Sequence, residues 1–291
     1  MNPNPKEPQP DLTQLARQWG ARTIPFTQED EAWLQTPAIQ QAWNRLTQCV
    51  ALRSALLISG PNGVGKSELV RRWINSLDAR LFAPLVFTQA TLSGSSLLGS
   101  ICLKLGKFLV YRRERQLQLI EEALVQLDGR IPIIILDEAQ NYTHIALEEI
   151  RLLLGLNLPA QPAFALILVG DQYLLNTLKL RHHRALYSRL SSHLCLPIWE
   201  AEQSAQSLQT SLRVAGLTSS ALQEGAQQLL INAAGGLPRS LQLLAQAAWI
   251  AAATGGAQSI GTEHVQTALD TVPYAPGLHQ TPSETNLGAN Q

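Results

Sequence analysis

No stretch of the 291 residues is apolar for long enough to cross a bilayer. The longest runs, 131–136 and 241–253, fall short of the 18 or more residues a span requires. Charge is also scarce, at 15% of residues, and the 22 basic and 22 acidic side chains cancel. That balance excludes a highly charged disordered chain, and any binding of nucleic acid must rest on local clusters rather than on net charge. Cysteine is nearly absent: Cys49, Cys102 and Cys195 are odd in number, widely separated and set among apolar neighbours. They offer neither a disulfide framework nor metal-ligand spacing, and read as buried thiols in a reducing compartment. Internal repeats, a helix-turn-helix and zinc-finger spacing are missing too. With a polar, Asn/Pro-rich start over residues 1–10, the expectation is a soluble, cytoplasmic protein with no membrane partner.

What is present is 45% hydrophobic residues, enough for one large or two smaller globular units. Residues 1–10 and 275–291 are Pro/Gly/polar ends predicted to be disordered. A helical segment is expected over 11–48, with an acid-capped helix at 11–19 and a second helix at 37–48. Short apolar runs at 55–59, 85–88, 131–136, 164–170 and 193–198 alternate with helix-length segments. That alternation predicts an α/β domain over 49–198, with a five-stranded parallel sheet buried on both faces. From 199 to 274, Ala, Leu and Gln at helical spacing predict an all-helical domain of about four helices, broken at Gly216, Gly235–Gly236 and Gly255–Gly256.

Gly60-Pro61-Asn62-Gly63-Val64-Gly65-Lys66-Ser67 fits G-x-x-x-x-G-K-[ST] and stands between a predicted strand and a predicted helix. In such a loop the backbone N–H groups and the following helix terminus form an anion nest. Lys66 reaches the β- and γ-phosphates, and the Ser67 hydroxyl joins the Mg²⁺ shell. The alternative is a glycine turn that binds nothing. Ile133-Ile134-Ile135-Leu136-Asp137-Glu138 supplies a central strand ending in two acids: Asp137 as metal holder and Glu138 as general base for the attacking water. The competing reading is a helix cap. Together these motifs predict Mg²⁺-dependent hydrolysis of ATP to ADP and phosphate.

With these motifs the chain resembles the AAA+ ATPases over roughly residues 20–272. Several segments carry a narrower likeness: Leu136-Asp137-Glu138-Ala139-Gln140-Asn141, Ile167-Leu168-Val169-Gly170-Asp171, Ala185-Leu186-Tyr187-Ser188-Arg189-Leu190 and Gly235-Gly236-Leu237-Pro238-Arg239. They resemble the group containing ExeA-type secretion ATPases and the transposition regulators TniB, TnsC and IstB. The resemblance implies an AAA+ P-loop core followed by a small helical lid. It implies a γ-phosphate sensor at Asp171 or Gln172, and an arginine finger at Arg189, with Arg184 the alternative. A second sensor falls at Arg239, and an apolar adenine contact at Ile24-Pro25-Phe26. For the arginines the competing reading is a solvated surface charge, and for Phe26 a core aromatic.

Lys104, Lys107, Arg112, Arg113 and Arg115 against Glu114 form one basic cluster. A second basic run, Lys179, Arg181, Arg184 and Arg189 with His182, His183 and His193, holds no acid from 172 to 199. In the transposition regulators the region after the second strand touches duplex backbone, so the first cluster is the DNA-contact candidate. Its alternatives are a solvated helix face or pairing with a neighbouring subunit. The second run is the candidate subunit interface. The implied function is an ATP-dependent homo-oligomer, ring or helical filament, that binds duplex DNA with little sequence preference and regulates a transposase together with a target-selection protein. The alternative is an ExeA-like ATPase that assembles a secretion machine without binding DNA. That class adds a membrane span and a cell-wall-binding domain after the ATPase, which tips the expectation toward transposition. A signalling nucleotide switch would need an effector domain for which 291 residues leave no room.

Overall fold

The computed structural model describes residues 11–27, 33–88, 94–127, 129–156, 163–273 and 275–278. Two compact units emerge, Thr36–Pro197 and Met1–Gln35 with Ile198–Gln291. The segment 11–48, expected as one piece, is thus divided between them at Gln35.

In the first unit, β1 (Ala55–Ser59), β2 (Phe82–Phe87), β3 (Ile131–Leu136), β4 (Ala165–Val169) and β5 (Ser192–Cys195) form one sheet in the order β2-β3-β4-β1-β5. Every pairing is parallel, with Leu57 opposite Leu168 and Ile134 opposite Leu166. β1 and β4 are buried at every position, as is β3 after its first residue, because helices cover both faces at the centre of a parallel sheet. The edge strands differ from expectation. β2 alternates between buried and half-buried positions, and β5 buries only Leu194. Cys195 is therefore exposed on an edge strand, which corrects its reading as a buried thiol, while Cys49 and Cys102 are buried.

α2 (Pro37–Ala51) precedes the first strand, and the crossover helices are α3 (Lys66–Asn75), α4 (Gly94–Lys104), α5 (Arg113–Val125), α6 (His144–Leu153), α7 (Gln172–Lys179) and the single turn α8 (Arg184–Tyr187). Side chains start several of them: Thr36 caps α2, Thr143 caps α6 and Asp171 caps α7, each accepting a backbone N–H in the first turn. A cap of this kind is worth about 1 kcal/mol.

The second unit joins α1 (Leu12–Gln18) to α9 (Ala201–Val214), α10 (Glu224–Ala234), α11 (Pro238–Thr254) and α12 (Thr262–Thr271). Its core gathers Leu208, Leu230, Leu244, Trp249 and Val265, with Trp19 edge-on to Trp249 at 6.4 Å. The expected breaks are where the helices end: Gly216, Gly235 and Gly256 all take left-handed backbone. The tail predicted to be disordered begins instead with a buried Ala275 and a 3-10 turn at Pro276–Leu278. Residues 1–10 and 279–291 lie outside the described residues. Among the described residues, no helix is long and apolar enough to cross a membrane.

Candidate functional site

Placing β4 between β1 and β3 brings the carboxyl ends of three buried strands side by side, and the sequence-predicted phosphate and acidic groups lie on them. β1 runs directly into the loop 60–67, and α3 leaves that loop at Lys66. The glycines are required by backbone geometry: Gly63 has φ 86° and Gly65 φ 101°, where side chains other than glycine are strained. Gly60, at φ 152°, faces the chain after β5, and a Cβ there would come 2.7 Å from the Leu196 carbonyl oxygen. A Cβ on Gly65 would meet nothing within 4 Å, so the demand for glycine there is conformational and not a matter of crowding. Pro61, Asn62 and Ser67 are exposed, and Val64 is buried beneath the loop. Lys66 is 7% exposed, and its ammonium donates to the carbonyls of Gly60 (2.8 Å) and Pro61 (3.0 Å), curling back over the loop.

At the end of β3, Asp137 Oδ1 accepts the Glu138 N–H at 2.9 Å. Glu138 is held at φ 52°, ψ 36°, the left-handed region that few side chains tolerate. The carboxylate is fixed from a second side, since Gln140 Nε2 donates to Glu138 Oε2 at 2.5 Å. Gln140 starts no regular helix; it lies in a 3-10 turn, Ala139–Asn141. Its Oε1 is buried without a hydrogen-bond partner, and a Cβ on Gly170 at the end of β4 would lie 2.9 Å from it. Gln140 therefore links the ends of β3 and β4. Gln140 has no role in the motif as a sequence; its one signal there is its position two residues after the acid. Nearby, burial and the charge of Asp137 push the Tyr142 phenol up to about 12.

Asp171 Oδ1 accepts the Leu174 N–H at 3.1 Å, so the sensor candidate also caps α7, and Gln172 beside it is exposed. Arg189 is half-buried and donates from Nη1 to the Arg151 carbonyl at 2.5 Å, whereas Arg184 is exposed at the start of α8. Phe26 and Arg239 belong to the other unit. Phe26 is 2% exposed within that unit's core, with φ 58°, and Arg239 is exposed in the first turn of α11.

The first basic cluster is less uniform than its sequence. Lys104 donates to the Val86 carbonyl and lies 4.8 Å above the Phe87 ring. Lys107 donates to Gln126 Oε1 at 3.0 Å. Arg113 pairs with the buried Glu149 at 2.8 Å, and Arg115 stands 3.6 Å from Glu122. Arg112 directly precedes α5 without a side-chain cap and is exposed, with no ion pair among the described residues. Around it, Phe108, Leu109 and Tyr111 are 66%, 50% and 94% exposed, so this connection presents apolar and aromatic surface beside its cations.

Residues 50–178 match the family model described as AAA domain. General secretion pathway protein A of Aeromonas hydrophila is 28% identical over 213 residues, covering 70% of this chain and 38% of that protein, so the chain spans well under half of that relative. Among solved structures, Cdc6p from Pyrobaculum aerophilum superposes with a TM-score of 0.67 at 18% identity, over 85% of this chain and 70% of that one. The Aeropyrum pernix ORC1 protein in complex with DNA gives 0.66 at 19% identity, over 84% and 68%. Drosophila ORC bound to DNA gives 0.59 at 18%, over 92% and 69%. The five-stranded parallel sheet, crossover helices and helical carboxyl-terminal region form the AAA+ P-loop NTPase fold.

Proposed function

We propose that this protein is an ATPase that works as an oligomer on duplex DNA and regulates a transposase. The observation that carries the ATPase reading is the convergence, at the carboxyl ends of the central strands, of the glycine loop, Lys66 and the oriented Asp137–Glu138 pair. In this reading the N–H groups of residues 62–67 receive the phosphates, and Lys66 exchanges its loop carbonyls for phosphate oxygens. Glu138, aimed by Gln140 and by its own backbone, takes the proton of the attacking water. Asp171 stands by the γ-phosphate and Arg239 serves as the second sensor, while the burial of Phe26 in its own unit's core favours the core-aromatic reading over an adenine contact. A serine hydroxyl and an aspartate carboxylate are hard oxygen donors of the kind Mg²⁺ takes, so Ser67 and Asp137 would hold it. The ion would neutralise charge on the transferring phosphate.

The DNA reading is supported by the surface between α4 and α5. Arg112 is exposed and outside any described ion pair, Tyr111 is almost fully exposed, and both are flanked by Lys107 and Phe108. Basic groups interleaved with aromatic faces suit a nucleic-acid backbone. With Arg113 and Lys104 engaged within the protein, Arg112 is the principal contact of the five, and Lys107 and Arg115 are secondary. One observation favours a second reading, in secretion: the 28% identity to a general secretion pathway protein.

Titration of a random-sequence duplex, with and without a non-hydrolysable ATP analogue, separates the two. The transposition reading expects ATP-dependent binding that weakens steeply with salt, and expects Arg112→Ala to flatten the log–log slope by about 0.9 per lost phosphate contact. Absence of ATP-dependent binding at low salt removes the DNA reading and leaves the secretion one.

A further inference from the structure

The second basic run contains a grouping that the ATPase reading does not use. His144 is the first residue of α6, and His182 and His183 lie in the 3-10 turn Arg181–His183 that precedes α8. The fold brings them together across 38 residues of chain. His144 Nδ1 is 2.7 Å from His183 Nε2 and 3.2 Å from His182 Nε2, and one ligand nitrogen from each ring falls within 4.8 Å of the others. The ring centroids are 4.2 to 4.9 Å apart, with the planes of His144 and His182 at 79° and those of His182 and His183 at 61°. His183 is buried, and His144 and His182 are exposed, so the group is anchored on one side and open to solvent on the other.

Hydrogen bonding alone serves this arrangement poorly. An imidazole nitrogen carries either one proton or one in-plane lone pair, so His144 Nδ1 satisfies only one of the two nitrogens aimed at it. Protonation makes the crowding worse, because a charged ring donates from both nitrogens and accepts at neither. A cation that accepts a lone pair from each ring satisfies all three. Tetrahedral zinc, with Zn–N near 2.0–2.1 Å, needs ligand nitrogens about 3.3 Å apart; the separations of 2.7 and 3.2 Å from His144 Nδ1 are close to that spacing, and rotation of the exposed His182 ring brings the third nitrogen in from within 4.8 Å.

We propose that His144 Nδ1, His182 Nε2 and His183 Nε2 form a binding site for a divalent transition metal, zinc foremost, with the fourth position left to water on the exposed side. Imidazole nitrogen selects zinc, copper or nickel over Mg²⁺, so the site is chemically distinct from the phosphate loop. A metal here ties the amino end of α6 to the turn that leads into Arg184. At the other end of the same helix, Arg189 is already fastened to the Arg151 carbonyl. The metal thereby fixes the arginine-bearing segment at two points.

The test uses the full chain, stripped with chelator and free of nucleotide, titrated calorimetrically with Zn²⁺ alone. The expected result is one zinc per chain at micromolar or tighter affinity, at least roughly tenfold weaker in His144→Gln and in His182→Gln. Both substituted side chains are exposed, so circular dichroism of the variants should match wild type. Co²⁺ should give the intense visible bands of a four-coordinate centre in wild type and lose them in either variant. Zinc should also raise the melting temperature of wild type and leave the variants unmoved. Three outcomes overturn the proposal. One is no saturable binding below about 100 µM, and another is one zinc per two chains. The third is binding that persists unchanged in both variants, which would place the ion on other ligands such as Asp137 and Glu138.

Discussion

Glu138 is held in a backbone conformation that costs an ordinary side chain of order 1 kcal/mol or more, and it is secured there by two neighbours rather than by burial. Asp137 takes its N–H and Gln140 takes its carboxylate, so the proposed base is oriented before any substrate arrives. That division of labour gives a prediction at residue scale. Glu138→Gln should retain ATP binding and lose nearly all turnover. Gln140→Ala should also retain binding and lower the turnover number by roughly 10-fold, with little change in KM, since it frees the carboxylate without removing it. Lys66→Ala should instead abolish binding. Single-turnover hydrolysis beside equilibrium nucleotide binding distinguishes these cases. Normal turnover in Glu138→Gln would show that another group activates the water.

At the scale of elements, the most informative contact joins α5 to α6. Glu149 is 1% exposed, its Oε2 has no hydrogen-bond partner, and its Oε1 takes the Arg113 guanidinium. Burial pushes the carboxyl above its ordinary value, more than Arg113 pulls it down. A raised acid is easier to carry protonated in the folded protein, so its contribution to stability is fully present below its unfolded pKa of about 4.3 and is lost as pH rises through the folded value. Glu149→Gln keeps an acceptor for Arg113 and removes that titration. Relative to wild type its melting temperature should therefore rise as pH climbs from about 4.3; a relative fall would mean that the ion pair outweighs burial. The same contact explains what the sequence could not reveal. Arg113 looked like one more member of a solvated cluster, because its partner lies 36 residues onward and only the crossover topology unites them. The three histidines were hidden for the same reason. Local signals fared better. β1 and β3 match the apolar runs residue for residue, each bounded by a polar or glycine residue that ends the run. β2 begins at Phe82, ahead of Pro84, because an edge strand tolerates a missing N–H; proline in the run obscured that start. The boundary at Gln35 was illegible because α1 finds its partners in α11, more than 200 residues later.

At the scale of the whole molecule, the two candidate finger arginines are in different states. Arg184 is exposed, while Arg189 spends one donor on the Arg151 carbonyl. A guanidinium has five N–H groups, so that bond leaves Arg189 able to fork onto phosphate oxygens while fixing where it points. A pre-positioned donor loses less freedom when the transition state forms than an exposed one that must be ordered. This favours Arg189 as the group acting on a neighbouring subunit's nucleotide, with Arg184 on the surface between subunits. If so, specific ATPase activity should climb with protein concentration, since each site is completed by a second chain. Arg189→Ala should then lose 10²-fold or more in turnover at every concentration, with nucleotide affinity of the dilute protein unchanged. Arg184→Ala should shift the concentration at which activity appears and recover when protein is added in excess. Mixing inactive Glu138→Gln with inactive Arg189→Ala gives the sharpest reading. Chains that share sites in trans should regain activity, because an intact acid from one subunit meets an intact arginine from the next. No recovery on mixing, together with full activity of wild type at high dilution, would mean that each chain hydrolyses ATP alone.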